Sequence, residues 1–212
     1  MSDGYQILSL DEIEPVSHLG SNLLPVRHTL DLLALGVNAW RGDTGEQLIP
    51  PHEEDSGSEE LYVVVRGRAT FTVGEEETDA PAGALAFVPS QVHRTAVAAE
   101  PGTIVLAVGA TVGEPFRSGA WDTFAVADAH RRAGRADEGR AVLRRAMDER
   151  PDAWALVYNT ACWEALDGDA DAAFAHLRKA LEMNESETRE YMSQDTDLES
   201  LRADPRWEEL AR

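Results

Sequence analysis

The chain has 212 residues, enough for one large core or two small ones, and its hydrophobic content of 43% excludes wholesale disorder. A net charge of −20 repels phosphate backbones and anionic lipid, so neither nucleic acid nor a membrane surface is an expected partner. No apolar run is long enough for a transmembrane helix, the opening MSDGYQILSLDEIEP lacks a secretory pattern, and Cys162 is the only cysteine; together these predict a reducing, cytoplasmic setting.

The first half of the chain is rich in Val, Thr, Gly and Pro, in short runs. Residues 33–40 (LALGVNAW) and 61–66 (LYVVVR) are apolar or β-branched and read as strands. In 68–73 (RATFTV), Ala69, Phe71 and Val73 fall on one face, with Thr70 and Thr72 on the other. Gly67 separates these two strands, where a tight turn needs a residue free to take positive φ. Pro81-Ala82-Gly83 is a second turn, followed by strands at 84–88, 92–98 and 103–110. Short strands punctuated by Gly and Pro predict an antiparallel sandwich or barrel.

The stretch from Gly113 to Ala120 has the composition of a linker, and beyond it Ala, Arg, Leu and Glu recur at helical spacing. The expected organisation is therefore a β domain over residues 1–115 and an α-helical domain over 116–212. An offset of 34 residues links Ala127 to Ala161, Gly134 to Gly168, Asp137 to Asp171, Leu143 to Leu177 and Ala146 to Ala180. Residues 121–183 resemble tetratricopeptide repeats on these positions. Gly134 and Gly168 would end the first helix of each hairpin, and Asp137 and Asp171 suit the first turn of the second. The family often has an aromatic where this chain has His130 and Glu164. Two repeats bury little surface alone, so the hairpins should lean on the barrel, on short closing helices in DTDLESLRADPRWEEL, or on a second subunit. Trp121, Trp154, Trp163 and Trp207 could supply such contacts, most of them as ordinary core.

Chemistry concentrates between Gly45 and Gly67. His52 and Glu54 are two apart and would share a strand face, Glu60 opens the next strand, and His93 follows Pro89 later on. Imidazole and carboxylate groups converging from several strands can hold a divalent ion. Here the sequence resembles the cupin superfamily over residues 30–112. Gly45, His52, Glu60 and Gly67 follow its first motif, and Pro81, Gly83, Pro89 and His93 its second. The resemblance implies a jelly-roll barrel, a homodimer, and a metal set of His52, Glu54, Glu60 and His93 for Fe, Mn, Ni or Zn. Departures are Glu54 for the family's second His, a longer gap before Glu60, and Val97 for its Asn.

Plainer roles accompany each residue. His52 and His93 could hydrogen-bond to carboxylates without metal, and Glu54 could be one more solvated acid of HEEDSGSEE. Tyr62 shares the strand face of Glu60 and is expected as core. Arg27 and Arg41 are placed at the surface, and His18, His28, His130 and His176 as structural or exposed. Cys162 reads as a buried small side chain, not a nucleophile. Arg131, Arg132, Arg135, Arg140, Arg144, Arg145 and Arg150 form a solvated helix face or a docking face for an acidic segment. Three functions stay open: a binding or regulatory module with a small molecule or a structural divalent metal in the barrel and a protein or peptide on the hairpins, a metal-dependent oxygenase or isomerase, and a pocket that is only packed core. The first demands least of the motifs.

Overall fold

Strand alternation in the first half of the chain resolves into two antiparallel sheets. In chain order the strands are β1 (Val16–His18), β2 (Ser21–Leu24), β3 (Gly36–Gly42), β4 (Gln47–His52) and β5 (Ser58–Arg66). They continue as β6 (Arg68–Val73), β7 (Glu76–Pro81), β8 (Leu85–Val88), β9 (Arg94–Ala98) and β10 (Thr103–Thr111). The computed structural model describes residues 6–32, 34–54, 57–113 and 119–211. It divides into two units, Met1–Ser118 and Gly119–Arg212, while the boundary expected at 115/116 lies outside the described residues.

One sheet has the order β1-β2-β3-β10-β5-β8 and the other β4-β9-β6-β7. Among the described residues the strands form two sheets, a sandwich, and the closed barrel expected from the resemblance is not shown. Period two explains which side chains enter the interior: Tyr62 and Val64 of β5, Ala69 and Phe71 of β6, Ala96 and Ala98 of β9, and Val105 and Ala107 of β10 are all buried. The rings of Tyr62 and Phe71, one from each sheet, lie 5.6 Å apart. A second apolar cluster joins Ile13, Leu24, Val26, Val37, Ala39 and Ile104. Arg41 helps hold the 3-10 turn Leu10–Glu12, donating to the Leu10 carbonyl at 3.1 Å and pairing with Asp11 at 2.7 Å. Arg27, expected at the surface, is buried in helix α1 (Val26–Leu30) with its guanidinium 2.6 Å from His28 Nε2, because that helix turns its first residues toward the apolar cluster.

Sequence reading overlooked β7, whose Glu76, Glu77 and Asp79 leave no apolar period. Its backbone ladder with β6 holds it, and an acidic strand at a sheet edge deters pairing with other chains.

The helical unit runs α2 (Ala120–Arg132), α3 (Ala136–Glu149), α4 (Trp154–Asp167), α5 (Ala170–Met183) and α6 (Glu185–Gln194), then a 3-10 helix (Thr196–Leu201) and α7 (Pro205–Ala211). The 34-residue offset reappears as helix starts at Ala120 and Trp154 and at Ala136 and Ala170. Gly134 and Gly168 both take positive φ, at 75° and 86°, which ends α2 and α4. The closing segments cover the second helix pair: Met192, Leu198 and Leu201 are buried with Val157, Cys162, Phe174 and Leu177. Trp163 fills the junction of α2, α3 and α4, Trp154 and Trp207 are partly buried, and Trp121 is exposed. The arginine series of α2 and α3 is largely neutralised locally, through Arg131–Asp128, Arg132–Asp128, Arg135–Glu138, Arg140–Asp167 and Arg145–Glu149. Cys162 is buried 3.4 Å from Asp195, and burial together with that carboxylate pushes its thiol pKa up, which makes it inert.

Glu164 is buried in α4 and meets His176 Nδ1 of α5 at 2.7 Å, so the unusual acid has a partner. That hydrogen bond raises the imidazole pKa above its ordinary value despite the opposing effect of burial. A raised native pKa contributes stability that is complete below the unfolded value and is lost as pH rises through the native one. Denaturant titrations of the helical unit across neutral pH should therefore show stability falling toward alkaline pH. His176→Ala should remove that dependence and cost about 1–3 kcal/mol, by leaving a buried acceptor unpaired.

Candidate functional site

The polar residues inside the sandwich come from three strands and one loop. β4 is an edge strand, which tolerates Pro50 and Pro51, since neither can donate to a ladder. Its register with β9 shifts twice, pairing Ile49 with Ala96 and His52 with Arg94. His52 Nδ1 lies 2.7 Å from the Pro50 carbonyl and donates to it, which turns Nε2 toward carboxylates: 3.4 Å from Glu60 Oε2 and 3.8 Å from Glu54 Oε1. β4 ends at His52, so Glu54 sits in the following loop and not on a shared strand face. That loop is tied down where the Glu54 carbonyl accepts from Ser90 Oγ at 2.6 Å and Gln91 N at 3.1 Å.

Glu60 and Tyr62 are neighbours on the inner face of β5. The Tyr62 hydroxyl donates to Glu60 Oε2 at 2.5 Å. Gly109 of β10 stands opposite Glu60, and a β-carbon there would approach Glu60 Cγ to 3.2 Å, so the bare backbone leaves room for the carboxylate. Burial pushes the Glu60 pKa up, but the bonds from His52 and Tyr62 and the charges of His52 and Arg94 outweigh it, and the net direction is down. His52 moves up in response, chiefly through its bond to Glu60. Tyr62 moves up through burial and the adjacent carboxylate, which keeps it a neutral donor.

One ligand atom from each of His52, Glu54 and Glu60 lies within 4.8 Å of the others. His93 is not part of this group. It is exposed, in the turn before β9, and its carbonyl accepts from Gly74 N at 2.9 Å. The next residue, Arg94, enters instead. Its side chain is 0% exposed, with Nε 3.4 Å from Glu60 Oε2 and Nη2 donating to the Pro89 carbonyl at 3.0 Å. The reason is phase: Arg94, Ala96 and Ala98 point inward, so the residue before Arg94 cannot. Sequence reading missed Arg94 by anchoring on histidine; the small Ala96 and Ala98 carried the signal that even-numbered positions face in. Nε and Nη1 of Arg94 have no hydrogen-bond partner, so the Glu60 contact is an ion pair without an aligned N–H···O.

As a metal site the group is a poor fit. Its donor types are right, but Glu60 Oε2 already accepts the Tyr62 hydrogen bond and faces a permanent buried cation.

Residues 40–109 match the family model described as Cupin domain. Similar solved structures include KdgF from Halomonas sp., at 17% identity and a TM-score of 0.39, covering 56% of this chain and 93% of that one. A predicted oxalate decarboxylase from Thermotoga maritima is 17% identical with a TM-score of 0.42, over 50% of this chain and 100% of that one. A cupin-superfamily sugar phosphate isomerase from Silicibacter pomeroyi is 20% identical with a TM-score of 0.43, over 50% and 76%. No curated protein matches the chain. Among the described residues no helix is long and apolar enough to cross a membrane. With the sandwich, the motif residues and the family match in agreement, the chain carries a cupin domain over residues 40–109.

Proposed function

We propose that this is a cytoplasmic binding or regulatory protein. In this reading a cupin domain over residues 1–115 holds a small molecule, and a tetratricopeptide-like domain over 116–212 contacts a protein or peptide. The observation that carries the first half is the charged cluster itself: partly exposed His52, Glu54 and Glu60 gather beside buried Arg94 and Tyr62. Apolar packing there would be at least as stabilising, so a core that keeps such groups is a candidate site. The 34-residue spacing of helix starts supports the second half, and the cupin resemblance supports a homodimer.

A metal-dependent oxygenase or isomerase is the second reading, with Fe, Mn, Ni or Zn held by His52, Glu54 and Glu60. It draws on the three ligand atoms within 4.8 Å and on the Nδ1–H···O bond that orients His52 Nε2; His93 would need to leave its exposed turn to join them.

Thermal unfolding with a panel of small carbonyl- and hydroxyl-bearing molecules separates the two. In EDTA, a true ligand at a hundred times its dissociation constant should stabilise the cupin domain by about 2.7 kcal/mol, and His52→Ala should abolish the effect. Stabilisation that needs added Mn(II) or Zn(II), or metal-dependent turnover of a panel member, would move the enzyme reading ahead.

A further inference from the structure

The buried guanidinium of Arg94 is only partly satisfied: Nη2 donates to the Pro89 carbonyl at 3.0 Å, and Nε faces Glu60 at 3.4 Å. It is always protonated, it is fully buried, and two of its nitrogens are unpartnered. It also stands where a cation is wanted: against Glu60 Oε2, the oxygen that receives Tyr62 and faces His52. An ion among His52, Glu54 and Glu60 would need that oxygen and would sit next to a fixed positive charge.

We propose that Arg94 takes the place of a metal ion in this cluster, so that the cupin domain binds its ligand without metal coordination. The inference rests on the reading of the cluster as a binding site. Nε and Nη1 have neither a hydrogen-bond partner nor surface open to a ligand, so the guanidinium acts as a buried charge that fixes Glu60 and leaves the partly exposed His52 and Glu54 to meet the ligand. Glu54 and Glu60 disfavour an anion, as does the chain's net charge of −20, so the ligand class is a small neutral molecule with carbonyl or hydroxyl oxygens. Its hydroxyls would donate to the same carboxylates.

The test uses the full chain as wild type, Arg94→His, Arg94→His/Glu60→Gln and Arg94→Met. Each is stripped with chelator, incubated with Co(II), desalted, and measured for bound cobalt and visible absorption, with circular dichroism to establish folding. The wild type should retain only a trace of cobalt. Arg94→His should gain close to one equivalent and visible bands, and adding Glu60→Gln should remove both. Stoichiometric cobalt in the wild type would overturn the proposal, as would a folded Arg94→His that stays metal-free.

Should Arg94→His not fold, a stability cycle on Arg94→Met and Glu60→Gln decides instead. The double variant should recover part of the loss from Arg94→Met, because the unpaired carboxylate has gone; strictly additive losses would refute the internal ion pair. Failure of every panel molecule to shift unfolding would sink the binding reading and leave the cobalt result untouched.

Discussion

Gly67→Ala should lower the stability of the cupin domain by about 2–5 kcal/mol, one of the largest losses a single methyl group can cause here. Gly67 takes φ of 73°, which costs an L side chain about 1–2 kcal/mol. A β-carbon there would also lie 2.9 Å from the backbone Cα of Thr103 and closer still to its hydroxyl. Thr103 cannot retreat cheaply. It is fully buried, and its hydroxyl bridges the Arg68 and Glu100 carbonyls at 3.0 Å and 2.7 Å. The overpacking adds about 1–3 kcal/mol to the backbone strain.

Gly102→Ala is the control, with φ of 66° and nothing within 4 Å of its β-carbon, so it should show the strain alone. Denaturant unfolding of both variants checks the argument. Equal losses would mean that the contact with Thr103 relaxes freely.

Trp163→Ala should cost the helical unit about 3–5 kcal/mol. Trp163 is 0% exposed and packs with Ala127 and Leu143, flanked by Phe124, Ala136 and Val142. Gly139 permits the close approach of α2 and α3, since a β-carbon there would lie 2.6 Å from the Ala127 carbonyl and 2.8 Å from the Trp163 ring. Removing the indole therefore empties a space bounded by backbone, which cannot collapse to fill it. Arg140, 5.2 Å above the ring and paired with Asp167, would lose its platform as well.

The indole N–H has no hydrogen-bond partner, so Trp163→Phe removes volume and also an unpaired donor. It should cost clearly less than the alanine variant. Loss of the helical signal on heating, followed by circular dichroism at 222 nm as a conventional helix probe, measures both. A Phe variant as unstable as the Ala variant would show that the ring's edge contacts, not the cavity, carry the energy.

Both predictions rest on features of unequal visibility in the sequence. Alternation in RATFTV and the β-branched run LYVVVR, with Gly67 between them, were enough for two strands and a turn, because burial on a sheet face favours period two and β-branched side chains. The 34-residue offset anticipated where α2 to α5 begin, since two packed helix pairs of equal length must repeat their small residues and stops. Glu60 was legible through its spacing of seven residues to Gly67, which the cupin resemblance picks out. Local order along the chain determined all of these.

The composition of the cluster was decided elsewhere. His93 and Arg94 are adjacent, and only the ladder of β9 with β4 and β6 determines which of them faces in. Glu54 reaches His52 through a loop anchored by Ser90 and Gln91, residues far away in sequence. Gly109 makes room for Glu60 from β10, a strand distant in sequence that pairs with β5. The sequence alone thus determined a β domain with a charged position at Glu60, followed by paired helices. Pairing between distant strands, which sets the phase of each side chain and cannot be read from neighbours along the chain, decided that an arginine stands beside it.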